Sequence, residues 1–326
     1  MEERALKLED YTKISGITDE EARQVFYDAM KIKANDIGMK GTTTFSNACG
    51  HNDRPYNRTT IQDLVKLVIY ASDIDKLYPI WNTPYYKLKD RKGTASYDLL
   101  STYTNPEYTA QILSFNPYYY ILGGKTGTTS IYNLACVVED IETGVKFVGA
   151  VSGGEANSLA DPEDPEVYDT NENNRFTNSK TLYDIAKRLY KDRNADISDL
   201  EAKLQYQRAC VCILPEHGSA YNKYDFFNKP NPYFLYSKNA TEEMPFASTQ
   251  KIMTACTAFD YIDDLSETIT IKESDYSHGS GPKLVAGEVY TIRDALYAMF
   301  LPSSNTMCQA LARNVGHKIY TLNNIK

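Results

Sequence analysis

Ser248 stands three residues ahead of Lys251 in the stretch Phe246-Ala247-Ser248-Thr249-Gln250-Lys251-Ile252-Met253-Thr254-Ala255. On a helix, residues i and i+3 share a face, so the lysine amine reaches the serine hydroxyl. Ile252, Met253, Ala255, Cys256, Ala258, Phe259 and Ile262 cover most of a helix circumference, which predicts a buried helix. A buried ammonium without a partner is costly. A desolvated lysine gives up its proton more readily and can act as a base. A serine beside a base is an activated nucleophile. The spacing is a common one, and Ser280-Gly281-Pro282-Lys283 repeats it. Gly281 and Pro282 make a helix there unfavourable, so only 248–251 keeps a shared face.

The chain around this pair has 326 residues, enough for one large or two ordinary domains. Its hydrophobic fraction of 42% is that of an ordinary soluble globular protein. The net charge of −8, without a Lys/Arg cluster, argues against a nucleic-acid binder. Tyrosine, abundant at 27, suits groove walls. Six cysteines show no C-x-x-C and no His/Cys ligand spacing, so neither a metal nor another cofactor is expected. Cys136 and Cys256 read as small core residues, and Cys210 and Cys212 should share one strand face. His51, His217, His278 and His317 are scattered and suggest no triad. The acidic start Met1-Glu2-Glu3-Arg4 is not that of a signal peptide, and no apolar run would span or anchor in a membrane.

The elements that must position the pair follow from periodicity. Thr18-Asp19-Glu20-Glu21 is a capping box that opens a helix over 18–37, with Gly38 closing it. Gly41 to Arg58 is polar and turn-rich, and Thr60-Ile61-Gln62-Asp63 starts a second helix. Residues 73–108 are irregular and aromatic. Pro117 to Leu122 and Leu134 to Val138 read as strands, Glu142-Thr143-Gly144 as a hairpin turn, and Val145 to Val151 as a third strand. Glu155 to Asn174 has three Asp, four Glu and no Lys, which predicts an exposed acidic loop. A helix follows over Thr177 to Asp192. The charged stretch 193–206 reads as a junction. Ala209 to Leu214 and Tyr233 to Tyr236 read as paired strands, and Thr268 to Ile271 as a short one. Thr291-Ile292-Arg293-Asp294 opens a helix that Leu301-Pro302-Ser303-Ser304-Asn305 breaks, and another runs from Thr306 to Arg313. The pattern is α+β with a mainly antiparallel sheet.

Three short motifs now stand together: Ser248-x-x-Lys251, Ser303-x-Asn305 and Lys125-Thr126-Gly127. This trio resembles the signature of penicillin-binding proteins and class A β-lactamases. Ala247 to Ala255 looks like the nucleophile helix of the D-alanyl-D-alanine carboxypeptidases, Leu296 to Asn305 like their second motif, and Gly124 to Cys136 like their third. Ile37-Gly38-Met39-Lys40, Asn47 to Gly50 and Thr60 to Leu67 resemble segments between those two motifs. The resemblance implies a penicillin-binding-protein/β-lactamase-like transpeptidase fold, an antiparallel sheet flanked by helices with an all-helical subregion. It implies a Ser248 acyl-enzyme with Lys251 as base, Ser303 as proton relay, and Asn305 holding Lys251 and the substrate amide. Lys125 would favour a neutral Lys251 and attract a terminal carboxylate, which Thr126 would also bind. Gly127 would let the strand approach the substrate, and the backbone N–H groups of Ser248 and Thr128 would form the oxyanion hole. The implied partners are peptidoglycan stem peptides ending in D-Ala-D-Ala and, as covalent inhibitors, β-lactams, with an extracytoplasmic location.

The motif order departs from that family, where the nucleophile comes first. Residues 1–192 resemble the C-terminal part of the peptidase domain and residues 207–326 its N-terminal part, with 193–206 as the junction. Circular permutation explains this, since chain ends that lie close tolerate it. A window on two tandem copies explains it as well: Ala5 to Gly16 and Cys308 to His317 both look like the stretch after the second motif. The chain lacks a visible export signal, which a partial gene or fragment would explain. Two alternatives stand beside the carboxypeptidase. One is a non-catalytic module whose two parts do not dock. The other is a β-lactamase, for which a Glu-x-x-x-Asn equivalent is missing.

Overall fold

The computed structural model describes residues 6–39, 42–51, 56–102, 115, 117–155, 170–216 and 232–324. Its helices are α1 (Leu8–Ile14), α2 (Asp19–Asp36), α3 (Ile61–Ser72), the single turn α4 (Tyr78–Trp81), α5 (Thr170–Lys191), the single turn α6 (Ser198–Glu201), α7 (Lys251–Phe259), α8 (Ile292–Phe300) and α9 (Asn305–Asn324). Local chemistry sets several of their starts. Thr18 and Glu21 close a capping box on α2, as do Thr291 and Asp294 on α8. Thr60 caps α3 by accepting from the Asp63 N–H at 3.1 Å.

Strands β1 (Arg58–Thr60), β2 (Tyr85–Lys89) and β3 (Ser96–Leu100) precede the main sheet. That sheet is formed by β4 (Tyr119–Thr128), β5 (Ile131–Asp140), β6 (Lys146–Glu155), β7 (Arg208–Ile213) and β8 (Phe234–Lys238), in that spatial order. Every neighbouring pair is antiparallel. The chain returns from β6 through α5 and α6 and enters the sheet again as β7, so the expected junction lies between two adjacent strands. Three short strands complete the set: β9 (Glu243–Pro245), paired with β1, and β10 (Thr268–Thr270), paired with β11 (Val289–Thr291).

Strand alternation divides the core into two. Leu134, Cys136, Val138, Phe147, Val151, Ala209 and Val211 face α5, where Phe176, Leu182, Tyr183 and Ile185 meet them. Ala135, Val137, Val148, Ala150, Cys210 and Cys212 face α3 and the helices beyond it. Cys210 and Cys212 therefore share a face, as the spacing predicts. Each large apolar side chain buried in these layers contributes roughly 1.5–3 kcal/mol.

Four sequence expectations change. The aromatic stretch 73–108 contains the antiparallel hairpin β2–β3, which its loose alternation conceals. Helix α5 begins at Thr170, inside the segment expected to be an acidic loop; 156–169 of that loop, and His217, lie outside the described residues. Helix α9 runs past Arg313 to Asn324. Gly316 lies within it because α2 crosses there: a Cβ at 316 would sit 1.8 Å from the Ala22 carbonyl oxygen. Finally, Ser248 does not lie on the α-helix proper. It sits in a 3₁₀ turn, Ala247–Gln250, that leads into α7.

Candidate active site

The 3₁₀ turn improves the alignment that the spacing predicts, because residues i and i+3 eclipse in it. The Lys251 Nζ donates to Ser248 Oγ at 2.9 Å, to Asn305 Oδ1 at 2.7 Å and to the Cys49 carbonyl at 3.0 Å. Its three donor positions are thus filled by three segments distant in sequence. Lys251 is fully buried. Burial lowers its pKa below the ordinary lysine value, and among the described residues no carboxylate pairs with it to reverse that.

Helix start α9 supplies the next two groups. Ser304, between the motif residues, does the capping: its Oγ accepts from the Met307 N–H at 3.2 Å. That leaves Asn305 to hold Lys251, and leaves the buried Ser303 Oγ without a hydrogen-bond partner. Ser303 adopts φ +64°, and Ala247, next to Ser248, φ +51°. Only three non-glycine residues have positive φ among the described residues, and two of them are here. Strain of about 1–3 kcal/mol at each is of the kind that gathers at functional sites.

The third motif lies on β4, an edge strand whose end packs against the 3₁₀ turn that carries Ser248. At Gly127 a Cβ would stand 3.1 Å from the Thr249 amide nitrogen and 3.2 Å from that of Ser248. The clearance expected for substrate at Gly127 is thus taken up by the turn itself. Asn133, opposite Gly127 on β5, donates to the carbonyls of Pro245 (2.9 Å) and Phe246 (3.1 Å) and fastens the turn to the sheet. The Thr129 N–H bonds to Ile131, so strand alternation directs the Thr128 N–H outward from the edge. Lys125 is buried, and its Nζ donates to the Thr126 carbonyl at 3.0 Å. Its pKa is held well below the ordinary value, first by burial and then by the charges of Lys251 and Arg175. Burial is likewise the first cause that lowers Lys251.

Several neighbours escape sequence reasoning. Arg175 of α5 donates to Thr128 Oγ1 at 3.3 Å and lies over the Tyr132 ring. His51 Nε2 lies 2.9 Å from Asn305 Nδ2 and 2.6 Å from the His278 carbonyl. The Cys49 carbonyl is a backbone group, which no side-chain pattern announces. Among the described residues there is no cluster of His, Cys, Asp and Glu that would hold a metal. The second Ser-x-x-Lys, at 280–283, lies in an irregular segment, as expected.

Comparison with known families gives one finding. Residues 227–323 match the family model described as the Beta-lactamase enzyme family. The matched stretch holds Ser248, Lys251, Ser303 and Asn305 but not Lys125. It supports a serine hydrolase of the penicillin-binding-protein and β-lactamase superfamily, whose members bind β-lactams covalently. Neither the curated proteins nor the solved structures compared give a match.

Proposed function

We propose that the protein is a serine-type D-Ala-D-Ala carboxypeptidase that removes the terminal D-alanine from peptidoglycan stem peptides. The observation that carries this reading is the buried Lys251 amine held at 2.9 Å from Ser248 Oγ, with no carboxylate paired to it among the described residues. A lysine in that setting has a neutral form ready to take the serine proton. Ser248 Oγ then attacks the penultimate carbonyl carbon, and the N–H groups of Ser248 and Thr128 stabilise the oxyanion. Collapse breaks the peptide bond. The proton on Lys251 passes through Ser303 to the departing D-alanine amine. Water adds to the acyl-enzyme, its proton returns to Ser248, and the shortened peptide leaves. Lys125 and Thr126 receive the terminal carboxylate. Its negative charge offsets the repulsion that Lys125 otherwise bears.

β-Lactams fit as covalent inhibitors on the same reading, because they acylate Ser248 and present a carboxylate to Lys125. A stem-peptide substrate places the reaction outside the cytoplasm. The test is labelling with a fluorescent penicillin. Wild type takes up one covalent label, mapped to Ser248, and Ser248→Ala takes up none. An unlabelled wild type overturns the proposal in favour of a non-catalytic module. Rapid, sustained turnover of nitrocefin favours a β-lactamase instead.

A further inference from the structure

The turn at 46–51 lies against the 3₁₀ turn of Ser248 and the start of α7, and three of its consecutive carbonyls aim at them. The Asn47 carbonyl accepts from Gln250 Nε2, the Ala48 carbonyl from Thr254 Oγ1 at 2.6 Å, and the Cys49 carbonyl from Lys251 Nζ at 3.0 Å. Ala48 also accepts from the Cys308 thiol at 3.0 Å. A three-residue run of backbone does not hold that direction without support. The support is the Asn47 side chain. Its Oδ1 accepts from the N–H groups of Cys49 (3.2 Å), Gly50 (2.8 Å) and His51 (3.1 Å), and its Nδ2 donates to the His51 carbonyl at 3.1 Å. Gly50, at φ +86°, completes the turn.

We propose that Asn47 is a positioning residue for Lys251: its carboxamide gathers three amides into a turn that aims the Cys49 carbonyl at the amine. This inference rests on the carboxypeptidase reading and adds the device that orients the base. The amine has three donor positions, and the Cys49 carbonyl fixes the third. Without it the amine is free to swing, and its distance to Ser248 Oγ is no longer set. The groups facing Lys251 are Ser248 on its own turn, Asn305 and Cys308 on α9, and Cys49. The charge of Lys251 is felt by Lys125 on β4, and His51 reaches the amine through Asn305.

The experiment measures the rate of acylation by a fluorescent penicillin against pH for wild type, Asn47→Ala and Asn47→Asp, with folding checked by circular dichroism. Displacing a catalytic group by about 1 Å costs of order 10²-fold in rate, and Asn47→Ala is expected to slow acylation to that extent. Asn47→Asp retains an oxygen that accepts the three amides but loses the donation to the His51 carbonyl, so it recovers part of the rate. Its added negative charge favours the ammonium form of Lys251, so its acid limb moves to higher pH. Wild-type rate and pH profile in both variants overturn the proposal while wild type still labels at Ser248. Should Asn47→Ala not fold, Asn47→Asp decides: a displaced acid limb supports the proposal and an unmoved one overturns it. A wild type that takes no label removes the carboxypeptidase reading, and this inference with it.

Discussion

Lys125 and Lys251 are two buried amines whose charges interact, and that arrangement has a thermodynamic signature. Lys125 has a native pKa well below its ordinary value, chiefly through burial. Between that lowered value and the ordinary value near ~10.4, the unfolded chain holds a proton that the native protein does not. Stability therefore rises with pH through that window. Below it, the buried charge exerts its full destabilising effect. Replacing a buried charge with an apolar side chain of similar length is commonly neutral or stabilising by about 1–4 kcal/mol. Lys125→Met is accordingly expected to unfold at a higher temperature than wild type while losing acylation. The gap should be widest at the acid end and should close as pH approaches ~10. Thermal unfolding of both proteins across pH 6–10 measures it. A gap that stays constant with pH would show that Lys125 does not titrate in a buried setting.

At the scale of elements, the site depends on backbones that lie unusually close. Gly50 and Ala247 show this most sharply. A Cβ at Gly50 would stand 1.9 Å from the Ala247 carbonyl oxygen, in addition to the strain of φ +86°. Gly93 has a similar φ, +76°, with nothing within 4 Å. Gly93→Ala therefore isolates the conformational cost, about 1–3 kcal/mol. Gly50→Ala should destabilise beyond that and slow acylation as well, because relieving the clash moves the nucleophile turn. Urea midpoints and labelling rates for the two variants test this. Equal losses of stability with unchanged labelling in both would count against a packed turn. The same pair shows what a sequence can reveal. The contact between Ser248 and Lys251 was legible because residues three apart share a face. Helix starts were legible where a side chain caps them, as at Thr18 and Thr291. The partners of Lys251 were only half legible. Asn305 belongs to a motif, whereas the Cys49 carbonyl is a main-chain group aimed by a turn. The hairpin β2–β3 was missed because its paired residues, Tyr85 with Leu100 and Leu88 with Tyr97, do not alternate cleanly between apolar and polar.

For the whole molecule, the decisive fact is that the site draws on both ends of the chain, so whatever joins them also sustains it. Asp275 is one such joint. It is fully buried and accepts from Arg313 Nε at 2.8 Å, from Arg313 Nη2 at 2.7 Å and from Arg23 Nη2 at 3.1 Å. Arg23 belongs to α2 and Arg313 to α9, so one carboxylate ties the first long helix to the last. Both guanidinium groups also reach backbone carbonyls nearby, Arg23 that of Ser274 and Arg313 that of Thr270. Arg23 keeps a second carboxylate partner, the exposed Glu20 at 3.2 Å, whereas the neutral Thr270 carbonyl does not balance the buried charge of Arg313. Removing one partner of a buried charged network costs about 3–5 kcal/mol, and Asp275→Ala should be destabilised by that amount. None of the groups around Ser248 touches Asp275, so molecules that remain folded should acylate at the wild-type rate. Hydrogen exchange should locate the loss: faster exchange in α2 and α9, with β5 and β6 still protected. If instead the labelling rate falls in step with stability, the joint and the site are one cooperative unit. The helices that hold the two ends together would then also tune the base.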